Sequence, residues 1–160
     1  MNISEIKEKS INKIIRTASC IKDALPYTTI NGKYNDESES RPSWWTNSFW
    51  AGILWQMYDV TGENIYADYA IGCEKKLENV LYKYEFNDHD LGFLWLLSGV
   101  EHFKHFEDKK AKDDALLSDS KLGFSYFYSH HMLNPQEDYY QPRLRNAAYE
   151  SFYKYKEETL

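Results

Sequence analysis

The stretch Asn47-Ser48-Phe49-Trp50-Ala51-Gly52-Ile53-Leu54-Trp55-Gln56-Met57-Tyr58-Asp59-Val60-Thr61-Gly62 decides the fold. Its apolar residues Phe49, Trp50, Ile53, Leu54, Met57 and Tyr58 recur as adjacent pairs every four positions, which makes one broad helix face. Thr61-Gly62-Glu63 ends that helix. The next run, Tyr66, Tyr69, Ala70, Cys73, Leu77, Val80 and Leu81, keeps the helical period over about four turns. So short a connection obliges the second helix to run antiparallel to the first, and the expected unit is a helical hairpin.

Working outward, Ile3, Ile6, Ile11, Ile14, Ile15, Ala18 and Ile21 predict an amphipathic helix over Ile3 to Lys22, with Asn2 and Glu5 placed as a capping pair. Ala24 to Ser43 holds Pro26, Gly32, Pro42 and a polar run from Asn35 to Ser40, so it reads as a long surface connection. Beyond the hairpin, a loop from Lys83 to Asp90 leads to a third periodic face, Phe93, Leu96, Leu97, Val100 and Phe103. The charged run Glu107 to Lys112 closes it before a short helix to Leu117. The fold class is therefore all-α, built from short-linked hairpins of the kind that form α/α toroid segments or solenoids.

Two segments carry chemistry. Trp44 to Trp55 holds four tryptophans in twelve residues, and Asn87-Asp88-His89-Asp90-Leu91-Gly92-Phe93 sets carboxylates and an imidazole just ahead of an apolar helix. Together they supply what is needed to grip and protonate a sugar ring. A carboxylate before a helix start is ordinarily a cap, bonded to backbone N–H groups of the first turn, so Asp90 has that bland alternative. A tryptophan on an amphipathic helix is more often core than ligand platform. Trp45 and Trp50 are the candidates for stacking on a sugar, whereas Trp55 and Phe49 fit the buried face.

These segments, with Tyr58-Asp59-Val60-Thr61-Gly62 between them, resemble glycoside hydrolase family 88, the unsaturated glucuronyl hydrolases. The likeness runs from about Trp44 to about Leu117, with the tryptophan-rich helix and the His-Asp-Leu-Gly-Phe element in the family's order and separation. It implies a toroid of six helical hairpins, which at ordinary helix and loop lengths needs about twice this chain. Residues 1–117 then form the N-terminal part of such a toroid, and it is incomplete.

The resemblance also implies a reaction. Water adds across the C4–C5 double bond of an unsaturated uronic acid at the non-reducing end of a lyase-generated glycosaminoglycan oligosaccharide. Asp90 matches the family's first catalytic aspartate, and His89, Trp45 and Trp50 are the expected substrate contacts. No cofactor is implied. The family's second aspartate lies in an Asp-x-Met-Met-Asn type of segment that this sequence does not contain, so Asp113, Asp114, Asp119 and Asp138 take no such role. The alternative is accordingly a catalytically inactive, truncated family member that at most binds saccharide or pairs with another chain.

Composition narrows the partners. A net charge of -6 with 28% charged residues, acids and bases interleaved, argues against nucleic acid, so an anionic substrate has to be met locally. No run of apolar residues suits a membrane span or a secretory signal, and a cytoplasmic location is expected. Cys20 and Cys73 read as small buried hydrophobes rather than a disulfide. Glu101, His102 and His105 share a helix with His130-His131 downstream, but the His-Glu-x-x-His spacing is absent, and a solvated helix face is expected in place of a metal site. There is no Gly-rich phosphate loop, Gly-x-Ser-x-Gly elbow or Cys-x-x-Cys.

After Leu117 the character changes: seven of the 14 tyrosines fall in the last 42 residues, and Gly123, Pro135 and Pro142 divide the segment. Residues 118–160 match nothing in the family, and a truncated or shifted reading frame is the favoured explanation, although Leu144 to Tyr155 has the period of an amphipathic helix. An open half-ring is expected to be poorly stable or to self-associate through its uncovered faces.

Overall fold

A capping box starts the first helix: Asn2 Oδ1 accepts from the Glu5 backbone N–H at 2.9 Å, and Glu5 Oε2 accepts from the Asn2 N–H at 3.3 Å. The computed structural model describes residues 2–83 and 90–119. In chain order they form α1 (Ile3–Ile21), the short strands β1 (Thr29–Ile30) and β2 (Lys33–Tyr34), α2 (Phe49–Thr61), α3 (Asn64–Tyr82), α4 (Leu91–Leu96) and α5 (Gly99–Phe106), followed by helical residues 109–119. The all-α expectation is met, and the hairpin architecture is compatible with a segment of an α/α toroid.

The predicted hairpin is α2 and α3, packed along their lengths. Gly62 closes α2 in the left-handed region at φ 70°, its N–H donating to the Tyr58 carbonyl at 2.8 Å, and only Glu63 then separates it from α3. Leu54, Trp55 and Met57 of α2 meet Ala70, Cys73, Leu77, Val80 and Leu81 of α3 in a core whose centre is inaccessible to water. Residues 109–119 are tied across α3 at a second level. Lys110 Nζ donates to Glu78 at 3.0 Å and to Asp114 at 2.6 Å, and the Tyr82 hydroxyl also donates to the buried Asp114 carboxylate.

The third periodic face is corrected in two ways. It is not one helix: the chain breaks at Leu97-Ser98, because the buried Ser98 hydroxyl takes the Leu94 carbonyl at 2.5 Å and competes with the backbone ladder. The buried side chains are Leu91, Leu94 and Trp95 rather than Phe93 and Leu96, which are exposed. Five consecutive apolar residues from Phe93 leave the inward face undefined by pattern alone. Phe93 and Leu96 instead line an apolar groove of about 470 Å³ with Val100, Phe103, Ala115 and Leu116.

The connection between α1 and α2 is more ordered than its composition suggests. Asn31-Gly32 forms a two-residue turn with both φ angles positive, joining β1 and β2 in the register Thr29↔Tyr34 and Ile30↔Lys33. Leu25 is fully buried beneath it. Cys20 is exposed whereas Cys73 is buried, so the pairing of both cysteines with the core is corrected for Cys20. Among the described residues, no helix is long and apolar enough to cross a membrane. Residues 120–160, and with them the Leu144–Tyr155 expectation and His130-His131, lie outside the described residues, as do Asp88 and His89.

Candidate functional site

Ser48 and Asn47, both fully buried just ahead of α2, assemble the site. Asn47 Nδ2 donates to the carbonyls of Arg41 at 2.8 Å and Pro42 at 3.0 Å, and its own N–H reaches the Trp44 carbonyl at 2.9 Å. These bonds hold the segment that carries Arg41, Trp44 and Trp45. Ser48 Oγ donates to the Phe93 carbonyl at 3.0 Å, which brings the first turn of α4 alongside.

Between them opens a cleft of about 650 Å³, walled by residues 38–45 on one side and by Lys76, Asn79 and Lys83 of the α3 end on the other, with Asp90 at its edge. Trp45 and Asp90 therefore line one cleft although they are distant in sequence. Trp45 is 40% exposed and rests edge-on against Phe49, with ring centroids 5.4 Å apart. Asp90 occupies the N-cap position of α4, yet its side chain makes no capping bond. The bland reading of this carboxylate as a helix cap is not realised.

Trp50 is placed differently from its expectation. It is 7% exposed in the core, its Nε1–H donating to the Lys22 carbonyl at 2.7 Å, so its ring lies outside the cleft and closes the end of α1. Phe49, expected in the core, is exposed beside Trp45, and Trp55 is buried as expected. The expected solvated face of α5 is also corrected. His102 Nδ1 lies 2.9 Å from Glu74 Oε2, and the His102 and His105 rings stack on Trp55 at 5.8 and 5.0 Å, so both rings are part of the packing between α5 and the hairpin. Among the described residues no cluster of His, Cys, Asp and Glu has the arrangement of a metal site.

The cations of the cleft escaped the sequence reading. Glu37, 5% exposed, gathers Arg41 Nε at 3.0 Å, Arg41 Nη2 at 2.9 Å, the Ser40 hydroxyl at 2.6 Å and the Asn35 side-chain amide. Hydrogen bonding from Arg41, then from Ser40, outweighs burial and brings the Glu37 carboxyl down to about 2. The Arg41 guanidinium lies over the Tyr27 and Trp44 rings at 4.9 and 5.1 Å, and its bond to Glu37 raises its already high pKa. Lys76 Nζ donates to the Asp23 carbonyl at 2.8 Å, with the Asp23 and Asp36 carboxylates at 3.4 and 3.6 Å. Burial raises the Asp36 carboxyl, but backbone bonds from Leu25 and Ser38 outweigh it and leave it below its ordinary value. A signal for Arg41 was present in sequence: Glu37 four positions earlier, and the paired tryptophans just beyond Pro42.

An aromatic platform, the Asp90 and Glu39 carboxylates and three cations thus line one cleft. The chain is 37% identical over 98 residues to the unsaturated glucuronyl hydrolase of Bacillus sp. (strain GL1), covering 59% of this chain and 25% of that protein. It is 33% identical over 79 residues to the unsaturated chondroitin disaccharide hydrolase of Streptococcus pyogenes serotype M1, covering 49% and 20%. With the unsaturated chondroitin disaccharide hydrolase of Streptococcus agalactiae serotype III (strain NEM316) it shares 26% identity over 137 residues, 76% of this chain and 30% of that one. The family 88 resemblance is thereby borne out over about half of the chain, which itself spans only 20 to 30% of the length of these relatives. No family model matches the chain, and no solved structure matches it.

Proposed function

We propose that this chain is an unsaturated glucuronyl hydrolase-like protein whose cleft receives an unsaturated uronic acid at the non-reducing end of a lyase-generated glycosaminoglycan oligosaccharide. The observation that carries this reading is the Asp90 carboxylate lining the same cleft as the exposed Trp45 ring. The C4–C5 double bond of such a sugar is an enol ether through the ring oxygen. A proton therefore adds at C4, the ring oxygen supports the positive charge left at C5, and water bonds there after losing a proton to a base. The product is a hemiketal that opens and releases the neighbouring sugar. Asp90 is the group assigned to this proton transfer, Trp45 the platform under the ring, and His89 a further substrate contact. No cofactor enters, and the location is cytoplasmic.

A second reading, saccharide binding without turnover, is favoured by one observation. Glu39 is the other carboxylate lining the cleft among the described residues, and it is exposed, so among those residues the cleft pairs Asp90 with no buried second carboxylate. Within this proposal the exposed Ile3, Ile6, Phe93 and Leu96 favour self-association, which sedimentation velocity at rising concentration measures.

The test mixes the purified chain with an unsaturated chondroitin disaccharide and follows the ultraviolet absorbance of the conjugated double bond. A steady decrease that Asp90→Asn removes establishes the enzyme, with a loss of about 10² to 10⁴-fold expected for one positioned acid/base group. Unchanged absorbance with saturable quenching of tryptophan fluorescence supports binding alone.

A further inference from the structure

Glu37 holds Arg41 from one side only. The two bonds engage Nε and Nη2, and Nη1 makes no hydrogen bond among the described residues. The Arg41 side chain remains 45% accessible and lines the cleft, while the Tyr27 and Trp44 rings fix its plane. An arginine already held by a buried carboxylate and two rings gives up little freedom on meeting a second anion, and its remaining donors form a second fork. Lys76, by contrast, spends its charge on Asp23 and Asp36. Given a saccharide in the cleft, which is the reading proposed above and on which this rests, we infer that Arg41 is the receptor for an anionic group of that sugar, carboxylate or sulfate, and that Glu37 sets the strength of that contact.

The two residues then act with opposite sign. Removing Arg41 removes the anion's partner. Neutralising Glu37 while keeping its shape leaves the guanidinium in place with its charge uncompensated, so anion affinity rises. A purely structural pair would give losses from both changes.

The experiment titrates tryptophan fluorescence with three probes: an unsulfated unsaturated chondroitin disaccharide, its methyl ester, and a sulfated form. The wild-type chain is expected to bind the best anionic probe at least about tenfold more tightly than the neutral ester, the scale of one hydrogen bond to a charged group. Loss confined to the ester identifies the carboxylate as the group bound, and a gain confined to the sulfated probe identifies sulfate. Arg41→Gln is expected to abolish the preference, and Glu37→Gln to increase it. Arg41→Lys, which keeps a cation beside Glu37, is expected to fold and to lose most of the preference, and it decides the matter if Arg41→Gln does not fold. An undiminished preference in Arg41→Lys and Arg41→Gln, or a loss in Glu37→Gln, overturns the assignment while leaving saccharide binding intact. Failure of all three probes to bind the wild-type chain overturns the saccharide reading and this assignment with it.

Discussion

Ser48 and Phe93, far apart in sequence, are joined by one hydrogen bond of 3.0 Å from the serine hydroxyl to the phenylalanine carbonyl, and that bond fastens the tryptophan-bearing segment to the Asp90-bearing one. Ser48 is fully buried. Its replacement by alanine leaves the Phe93 carbonyl without this donor, a loss of about 1–3 kcal/mol. Ser48→Ala is expected to lower the thermal midpoint and to weaken saccharide binding at the cleft, whereas Ser10→Ala on the exposed face of α1 should do neither.

Gly72 of α3 faces Asp23 so closely that an added Cβ would lie 2.6 Å from the Asp23 Cβ. Asp23 cannot readily retreat, because its carbonyl and carboxylate both receive Lys76. Alanine gains up to about 1 kcal/mol of helix propensity over glycine, and the forced overlap costs about 1–3 kcal/mol. Gly72→Ala should therefore be neutral to about 2 kcal/mol destabilising by chemical denaturation. A clear gain in stability would show that the loop after α1 yields freely.

The two cysteines should separate cleanly by reactivity. Burial, and then the nearby Asp23 charge, push the Cys73 thiol up to about 12, and its Sγ–H points to the Ala24 carbonyl at 3.6 Å. In the native chain a thiol reagent at mildly alkaline pH should label Cys20 rapidly and Cys73 only as fast as the protein opens. Equal rates at both positions would contradict the burial of Cys73 beneath Ala24 and the α2–α3 core.

Stability should fall in acid through Glu37. Its carboxyl drops from an ordinary 4.5 to about 2 in the folded chain, so its stabilising contribution is complete above about 4.5 and is lost as pH falls from there through about 2. Asp36 shifts in the same direction and adds to the same limb. Thermal midpoints measured across this window should decline less steeply in Glu37→Gln than in the wild-type chain, and parallel declines would remove Glu37 from the acid limb.

The parts of this fold that were legible in sequence are those set by local rules. The Asn2–Glu5 capping box, the pairing of α2 with α3 and the placement of Asp90 ahead of a helix all follow from spacing that involves neighbours a turn apart. Asn31-Gly32 carried an equally local turn signal that the reading of the connection passed over. What pattern could not supply was direction within a wholly apolar run. Trp50 and Phe49 are adjacent and both apolar, and it is Trp50 that turns inward, where its Nε1–H meets the Lys22 carbonyl, a partner distant in sequence. The Ser98 break between α4 and α5 turns likewise on its buried hydroxyl finding the Leu94 carbonyl in place of solvent. The far wall of the cleft is a tertiary fact: nothing near Arg41 in sequence announces Lys76, Asn79 or Lys83.

The uneven seating of α1 has a consequence in time. Its C-terminal end is anchored by the 2% exposed Ala18, by Ile21 and by the Trp50 bond to Lys22, whereas Ile3 is 86% exposed and Ile6 is 46% exposed at the other. A helical turn with no packed face has little to oppose its entropy of ordering, so amides near Ile6 should exchange with solvent by fraying while those near Ala18 wait for the hairpin itself to open. One continuous helix thus spans a wide range of opening free energies, and its amide protons record, residue by residue, how far the stability of the hairpin reaches.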